Sequence, residues 1–150
     1  MGYFDSLRIS ASALGAQRLR LDVIANNIAN AETTRTAEGG AYKRQDVVFA
    51  AQGRQGFLPL LLAARRGQTA QTSPVTGVRV AEIVTDQTPG ERVYDPTHPD
   101  ADAEGYVTMP NVNLVTEMTN MLSATRSYEA NLTVVDAFQR MAVKALDIGR

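Results

Sequence analysis

The sequence predicts an α+β fold that is mainly α: long N- and C-terminal helices pair as a coiled-coil-like layer, with a small β-rich module between them. Three observations carry this. All six prolines (Pro59, Pro74, Pro89, Pro96, Pro99 and Pro110) lie in the middle of the 150-residue chain. Glycine agrees, with Gly15 alone between residues 3 and 38 and none from 106 to 148. Proline and glycine cost a helix interior ~3 and ~1 kcal/mol, so only the two ends are free to be long helices. Both ends also repeat apolar residues every seven positions, whereas the middle holds short β-branched runs. The organisation that follows is an N-terminal helix in 1–34, a β/turn module in 35–110, and a C-terminal helix in 111–150.

The first helix is expected from about Asp5 to Ala31, with Asp5 or Ser6 as N-cap. Leu7, Leu14, Leu21 and Ile28 form its heptad row, Ile24 and Ala31 widen it, and Arg18 interrupts it at an inward position. At ~1.5 Å per residue the helix is about 40 Å long. Asn26, Asn27 and Asn30 stand out near its end, because asparagine is a poor helix-interior residue. They signal either a fraying terminus with Asn30 near the C-cap, or amides that bond across an interface and fix register.

In the middle, Val47-Val48-Phe49, Val78 to Val84, Arg92-Val93-Tyr94 and Tyr106-Val107-Thr108 have strand character, and Asp86 to Gly90 is a turn signal. The stretch 52–76, rich in Gly, Gln, Thr and Arg, is expected to be loop or mobile. The second helix is expected from Asn113, as N-cap, to Ile148, with Glu117 well placed in its first turn and Gly149 positioned to end it. Leu114, Met121, Tyr128, Val135 and Ala142 make one heptad row. Met118, Leu132 and Leu146 make the other, with Thr125 and Gln139 as polar interruptions. A further row of Val134, Phe138, Met141, Ala145 and Ile148 makes this helix apolar on more than one face, which one partner helix would not cover.

Fifteen basic against sixteen acidic side chains leave a net charge of −1, without the basic footprint of a nucleic-acid or anionic-membrane binder. The balance conceals segregation: residues 35–79 carry net +5 and residues 86–104 net −5. Zero cysteine excludes disulfides, thiolate nucleophiles and thiolate zinc sites. No run is long enough to span a bilayer, and the N-terminus does not resemble a signal peptide.

The stretch Asp95 to Gly105 is the one candidate for a metal or catalytic site. Asp100, Asp102, Glu104 and Gly105 match the opening of an EF-hand loop, but the position that needs a bidentate Glu is Asn111, and Pro96 and Pro99 forbid the incoming helix. His98 beside these carboxylates is chemically able to ligate a metal or act as a base, yet stands in a proline-rich turn. There is no GxGxxG, P-loop, nucleophile elbow or paired His, so no enzyme is expected, and no cofactor.

Asn26-Asn27-Ile28-Ala29-Asn30-Ala31-Glu32-Thr33-Thr34 resembles the N-terminal signature of bacterial flagellar axial proteins, the rod and hook components. Ser127-Tyr128-Glu129-Ala130-Asn131 resembles the matching C-terminal signature. Gly39 to Arg44, the run Arg92-Val93-Tyr94-Asp95-Pro96-Thr97-His98-Pro99-Asp100-Ala101-Asp102, and Gly105-Tyr106-Val107 leading to Pro110–Val115 are similar to the proximal rod members of that family. Ala41 departs from an expected proline, and residues 52–76 follow no family pattern. The resemblance implies a non-enzymatic subunit of the basal-body rod. Such subunits pass through the flagellar type III export apparatus without a cleaved signal peptide and assemble into a torque-transmitting tube that crosses the periplasm. It further implies self-association and contact with the rod proteins FlgB, FlgF and FlgG and with FliE, and no direct membrane insertion. Two rival readings stand beside it: a coiled-coil adaptor or export chaperone of the flagellar type III system that binds a partner through the same helices, and a metal-dependent hydrolase built on His98 and the neighbouring carboxylates.

Overall fold

The computed structural model describes residues 3–52 and 77–148. The expected segment 52–76 therefore lies, apart from residue 52, outside the described residues, as does Gly149. Helix α1 runs from Tyr3 to Ala29, starting two residues before Asp5, which therefore sits within the first turn rather than at the N-cap position. Strands β1 (Gln45–Ala51) and β2 (Val78–Thr85) follow, then β3 (Arg92–Tyr94), β4 (Tyr106–Thr108) and helix α2 (Leu114–Ile148).

Asn113 caps α2: its Oδ1 accepts the Thr116 N–H at 3.0 Å. The polar residues along α2 return their own groups to the helix. Thr125, an interruption of the predicted heptad row, donates to the Met121 carbonyl at 2.8 Å, and Thr119, Ser127, Asn131 and Thr133 bond the carbonyl four residues back in the same way. Each of these side chains thus gives a donor back to its own helix.

The strands form two separate two-stranded antiparallel ribbons rather than one sheet. In β1–β2, Val47 opposes Ile83 and Phe49 opposes Val80, with the register shifting between Val48 and Phe49. The Asp86–Gly90 stretch joins the two ribbons, and β3 takes β4 as its partner. Gly90 has no room for a side chain, since a Cβ there would collide with the Met109 carbonyl oxygen. That close approach is what lets the Met109 N–H reach the Glu91 carbonyl at 2.8 Å and close the ribbon.

α1 and α2 pack antiparallel, with the end of α1 beside the start of α2, and β1–β2 lies against α1. Arg20 places its guanidinium 5.8 Å from the centre of the Phe49 ring. Ser12 donates to the Ile9 carbonyl at 2.7 Å and accepts the Val78 N–H at 3.0 Å, pinning the start of β2 to the helix. The buried apolar residues among those described are Ala16, Val23, Ile24, Val47, Val107 and Ala124. That is a small core for helices of 27 and 35 residues, and it leaves large apolar side chains exposed along α2, from Leu114, Val115 and Met118 to Val143 and Leu146. Arg18, expected to point inward, is exposed.

Candidate functional site

Two features stand out: a buried polar junction where both helices meet the strands, and a broad apolar face on the helix pair.

The junction centres on Asn27, which is fully buried, and Glu117, which is 1% exposed. The Asn27 side-chain amide meets the backbone of Gln45 on both sides, donating to its carbonyl at 2.7 Å and accepting its N–H at 3.0 Å. It thus imitates one rung of a strand ladder at the start of β1. Its second N–H goes to Glu117 Oε2 at 3.0 Å, and its oxygen also accepts the Tyr42 hydroxyl at 3.0 Å. All four hydrogen-bonding positions of the amide are therefore filled. The other Glu117 oxygen accepts Arg44 Nε at 2.9 Å and Asn120 Nδ2 at 3.3 Å.

Asn111 extends the junction, accepting the Arg44 N–H at 2.7 Å and donating to the Asp86 carbonyl at 3.3 Å. Burial opposes the Arg44 charge, but the hydrogen bond and negative charge of Glu117, with Asp46, outweigh it and hold the guanidinium above its ordinary pKa. Burial, and secondarily the Glu117 charge, raise the Tyr42 phenol and favour its neutral, donating form. A buried polar group left without a partner costs about 1–3 kcal/mol, so this filled set is specific as well as stabilising.

The three asparagines divide. Asn26 and Asn30 finish α1 locally: Asn30 Nδ2 donates to the Asn26 carbonyl at 2.9 Å and to the Asn26 side chain at 2.8 Å, and its own oxygen accepts the Thr33 hydroxyl. Only Asn27 bonds across elements. Ala29 is exposed and Ile28 half-buried. In the second signature Glu129 and Ala130 are exposed, while Tyr128 and Asn131 are half-buried.

The apolar face follows from helix geometry. At about 100° per residue, the buried Ala16, Val23 and Ile24 lie within about 60° of Asn27 around α1. Leu7, Leu14, Leu21 and Ile28, all half-buried, lie about 100–160° round in one rotational sense. On α2, Leu114, Met118, Leu122, Leu132 and Val143 are displaced in the same sense from Glu117, and all are exposed. In an antiparallel pair, equal senses of rotation fall on the same side, so these rows share one face. Ser12, which holds the strand ribbon, is displaced in the opposite sense. Met121, Tyr128 and Val135 lie half-buried between that face and α1, and Leu146 remains 74% exposed near the end of α2. Val134 and Met141 form a second exposed row on the other side of α2, so the helix is apolar on more than one face.

The acidic stretch folds into the turns around β3–β4. Asp95 accepts the Thr97 hydroxyl at 2.6 Å and its N–H at 3.0 Å, and these bonds hold the carboxyl below its usual range. Asp102 accepts the N–H groups of Tyr106 and Glu104, both at 2.9 Å, and pairs with Arg92 at 2.6 Å; it too is lowered, chiefly by the Tyr106 N–H. Asp100 accepts the Thr34 hydroxyl at 2.8 Å, and Arg35 lies 3.6 Å away, a contact between the oppositely charged stretches. His98 Nδ1 accepts the Asp100 N–H at 3.1 Å. Pro96 and Pro99 are exposed. Gly105, at φ 80°, lies under the Tyr94 ring, which meets Tyr106 edge-on at 5.3 Å. Among the described residues no group of three or more His, Asp or Glu side chains is placed to hold a metal ion, and no helix is long and apolar enough to cross a membrane.

Sequence reasoning gave Glu117 only a first-turn electrostatic role and missed it, with Gln45 and Tyr42, as a partner of Asn27, and missed Arg44 and Asn111 as the groups that extend the junction from Glu117. A usable signal existed. Glu117, Ala124 and Asn131 are spaced by seven, and an acid heading such a row in an apolar helix calls for a buried partner.

Comparison with known proteins reaches both ends of the chain. Residues 7–35 match the family model described as flagella basal body rod protein, and residues 103–148 match flagellar basal body rod FlgEFG protein C-terminal. Three curated relatives, each called flagellar basal-body rod protein FlgC, align end to end. That of Borreliella burgdorferi is 46% identical over 99% of this chain and 98% of its own. Those of Bacillus subtilis and Escherichia coli O6:H1 are 44% and 38% identical, each over the full length of both chains.

Proposed function

Because the chain belongs to the FlgC family of flagellar basal-body rod proteins, we propose that it is a structural subunit of the proximal rod, assembling through its helix pair into a tube that transmits torque. The observation that carries this is the apolar face of the helix pair. Val115, Met118, Leu122, Val143 and Leu146 are each more than half exposed. A fully buried side chain of this kind is worth ~1.5–3 kcal/mol, so covering such a face supplies several kcal/mol per subunit. A face of this kind meeting a different surface of the next copy gives a repeating, non-closing contact, which builds a tube rather than a dimer.

In this reading residues 1–34 and 111–150 form the wall and residues 35–110 the module outside it. The assembly residues are Leu7, Leu14, Leu21, Ile28, Leu114, Met118, Met121, Tyr128, Leu132, Val135 and Leu146. The neighbours are further copies, FlgB, FlgF, FlgG and FliE. The subunit leaves the cytoplasm through the type III apparatus and works, without enzymatic activity, where the rod crosses the periplasm. A chain with no cysteine suits both compartments.

The test is whether the chain is a permanent part of the structure. Deleting its gene should leave cells without hooks or filaments, and a tagged copy should restore them and remain in basal bodies purified through detergent and high salt. A tagged copy that restores motility but stays in the cytoplasm is an adaptor or chaperone and overturns the reading.

A further inference from the structure

We propose that Asn27, Arg44 and Glu117 are positioning residues for assembly: they set the register in which the strand module sits on the helix pair, and so where it projects from the rod wall. The inference rests on the rod-subunit reading and goes beyond it, since burying the apolar face in the rod wall does not by itself fix where the module sits along the helices. Its grounds are the geometry of the junction.

Asn27 is the one described residue of α1 that bonds α2 and a strand through its side chain, reaching Glu117 at 3.0 Å and the two backbone groups of Gln45 at 2.7 and 3.0 Å. Arg44 grips the same carboxylate from the strand side at 2.9 Å. The three residues come from separate parts of the chain, with 90 positions between Asn27 and Glu117. Sliding the module by one residue would turn the bonded backbone face of Gln45 away from the amide. It would also leave a buried carboxylate facing no guanidinium. An apolar contact tolerates such a slip; this set of bonds does not.

Paired exchanges, read beside the denaturant midpoint of each purified variant, separate positioning from bulk stability: a hook loss that merely tracks the midpoint across the variants is stability alone and overturns the proposal. Asn27→Asp is nearly isosteric, but it places an oxygen where the Gln45 carbonyl and the Glu117 carboxylate both require a donor. Glu117→Gln then supplies a donor to that oxygen and keeps an acceptor for Arg44. The measurement is the number of hooks on cells lacking the native gene and supplied with the full-length chain, at matched protein levels. N27D should lower hook number at least about fivefold, the lower end of the equilibrium factor expected from an unsatisfied buried group. N27D/E117Q should recover a substantial part of that loss, and Asn27→Ala with E117Q should recover none. N27D building hooks at the wild-type level, or failing equally with and without E117Q, would overturn the proposal. If the wild-type chain itself fails to build hooks, the rod-subunit reading has failed instead.

Discussion

Met118→Asp is the perturbation that most cleanly separates assembly from folding. Met118 is 54% exposed on the apolar face, one residue beyond the buried Glu117. In the free subunit the change forfeits only the half of the burial already made, ~0.7–1.5 kcal/mol, and leaves the fold in place. In the assembled rod the arithmetic differs. Full burial of a methionine is worth ~1.5–3 kcal/mol, and about half of that is still available to a neighbour. An aspartate forfeits this share and adds the several kcal/mol needed to bury a carboxylate without a partner. The sum is at least ~4 kcal/mol per contact, about a thousandfold in an association constant. The assay is recovery of tagged subunit in purified basal bodies, beside far-ultraviolet circular dichroism of the purified chain. M118D should keep the wild-type helix signal yet be absent from basal bodies, while the volume-conserving Met118→Leu should incorporate normally. M118D appearing in basal bodies at the wild-type level would refute the reasoning.

Leu21→Asp and Leu132→Asp, on the rows that share the apolar face of the helix pair, should likewise abolish rod assembly, scored by loss of hooks and swimming. Gly90→Ala should destabilise the β3–β4 ribbon by ~1–3 kcal/mol in a denaturant titration, because its new methyl group meets the Met109 carbonyl and the backbone must move. Acid should loosen the same ribbon. The Asp102 carboxyl is lowered in the folded chain by the N–H groups of Tyr106 and Glu104 and by Arg92, so its contribution is present above the ordinary carboxylate pKa of ~3.9 and is lost as pH falls through the folded value. An NMR pH titration of the Tyr106 amide should follow that loss, and Asp102→Asn should remove it. At the alkaline end Tyr42 runs in the opposite sense. Its raised phenol contributes below the ordinary tyrosine pKa of ~10 and is lost as pH rises through the folded value, so Tyr42→Phe should flatten the alkaline limb of a stability–pH curve.

The helices were legible in the sequence because their signals are local. Confinement of proline to the middle, the heptad rows and the Asn113 cap each act within a turn or two. The short strands Arg92–Tyr94 and Tyr106–Thr108 were legible as well, from β-branched and aromatic residues beside turn signals. The start of α1 was misplaced because Asp5 is chemically suited both to cap a helix and to sit in its first turn. Arg18 was placed inward because a heptad count treats every helix as having one seam, whereas α1 turns one side to α2 and another to the ribbon.

The junction was only half legible. Asn27 was conspicuous as a poor helix residue, but nothing local says that its amide matches the backbone of Gln45 or that its remaining donor meets a carboxylate 90 positions later. Those are consequences of helix pairing, and pairing is written in no single segment. The acidic run is the converse case. Its spacing imitates a cation loop, but the folded chain spends Asp95 and Asp102 on turn N–H groups and Asp100 on Thr34.

The central claim is that the helix pair builds the wall and buries its apolar face there. A density map of the assembled basal body, at a resolution that places side chains, measures this directly. The account predicts α1 and α2 in the wall, with Leu21, Met118 and Leu132 covered by neighbouring subunits and the strand ribbons projecting from the other side. A map in which those three residues face solvent, or in which β1–β2 forms the wall, would contradict it.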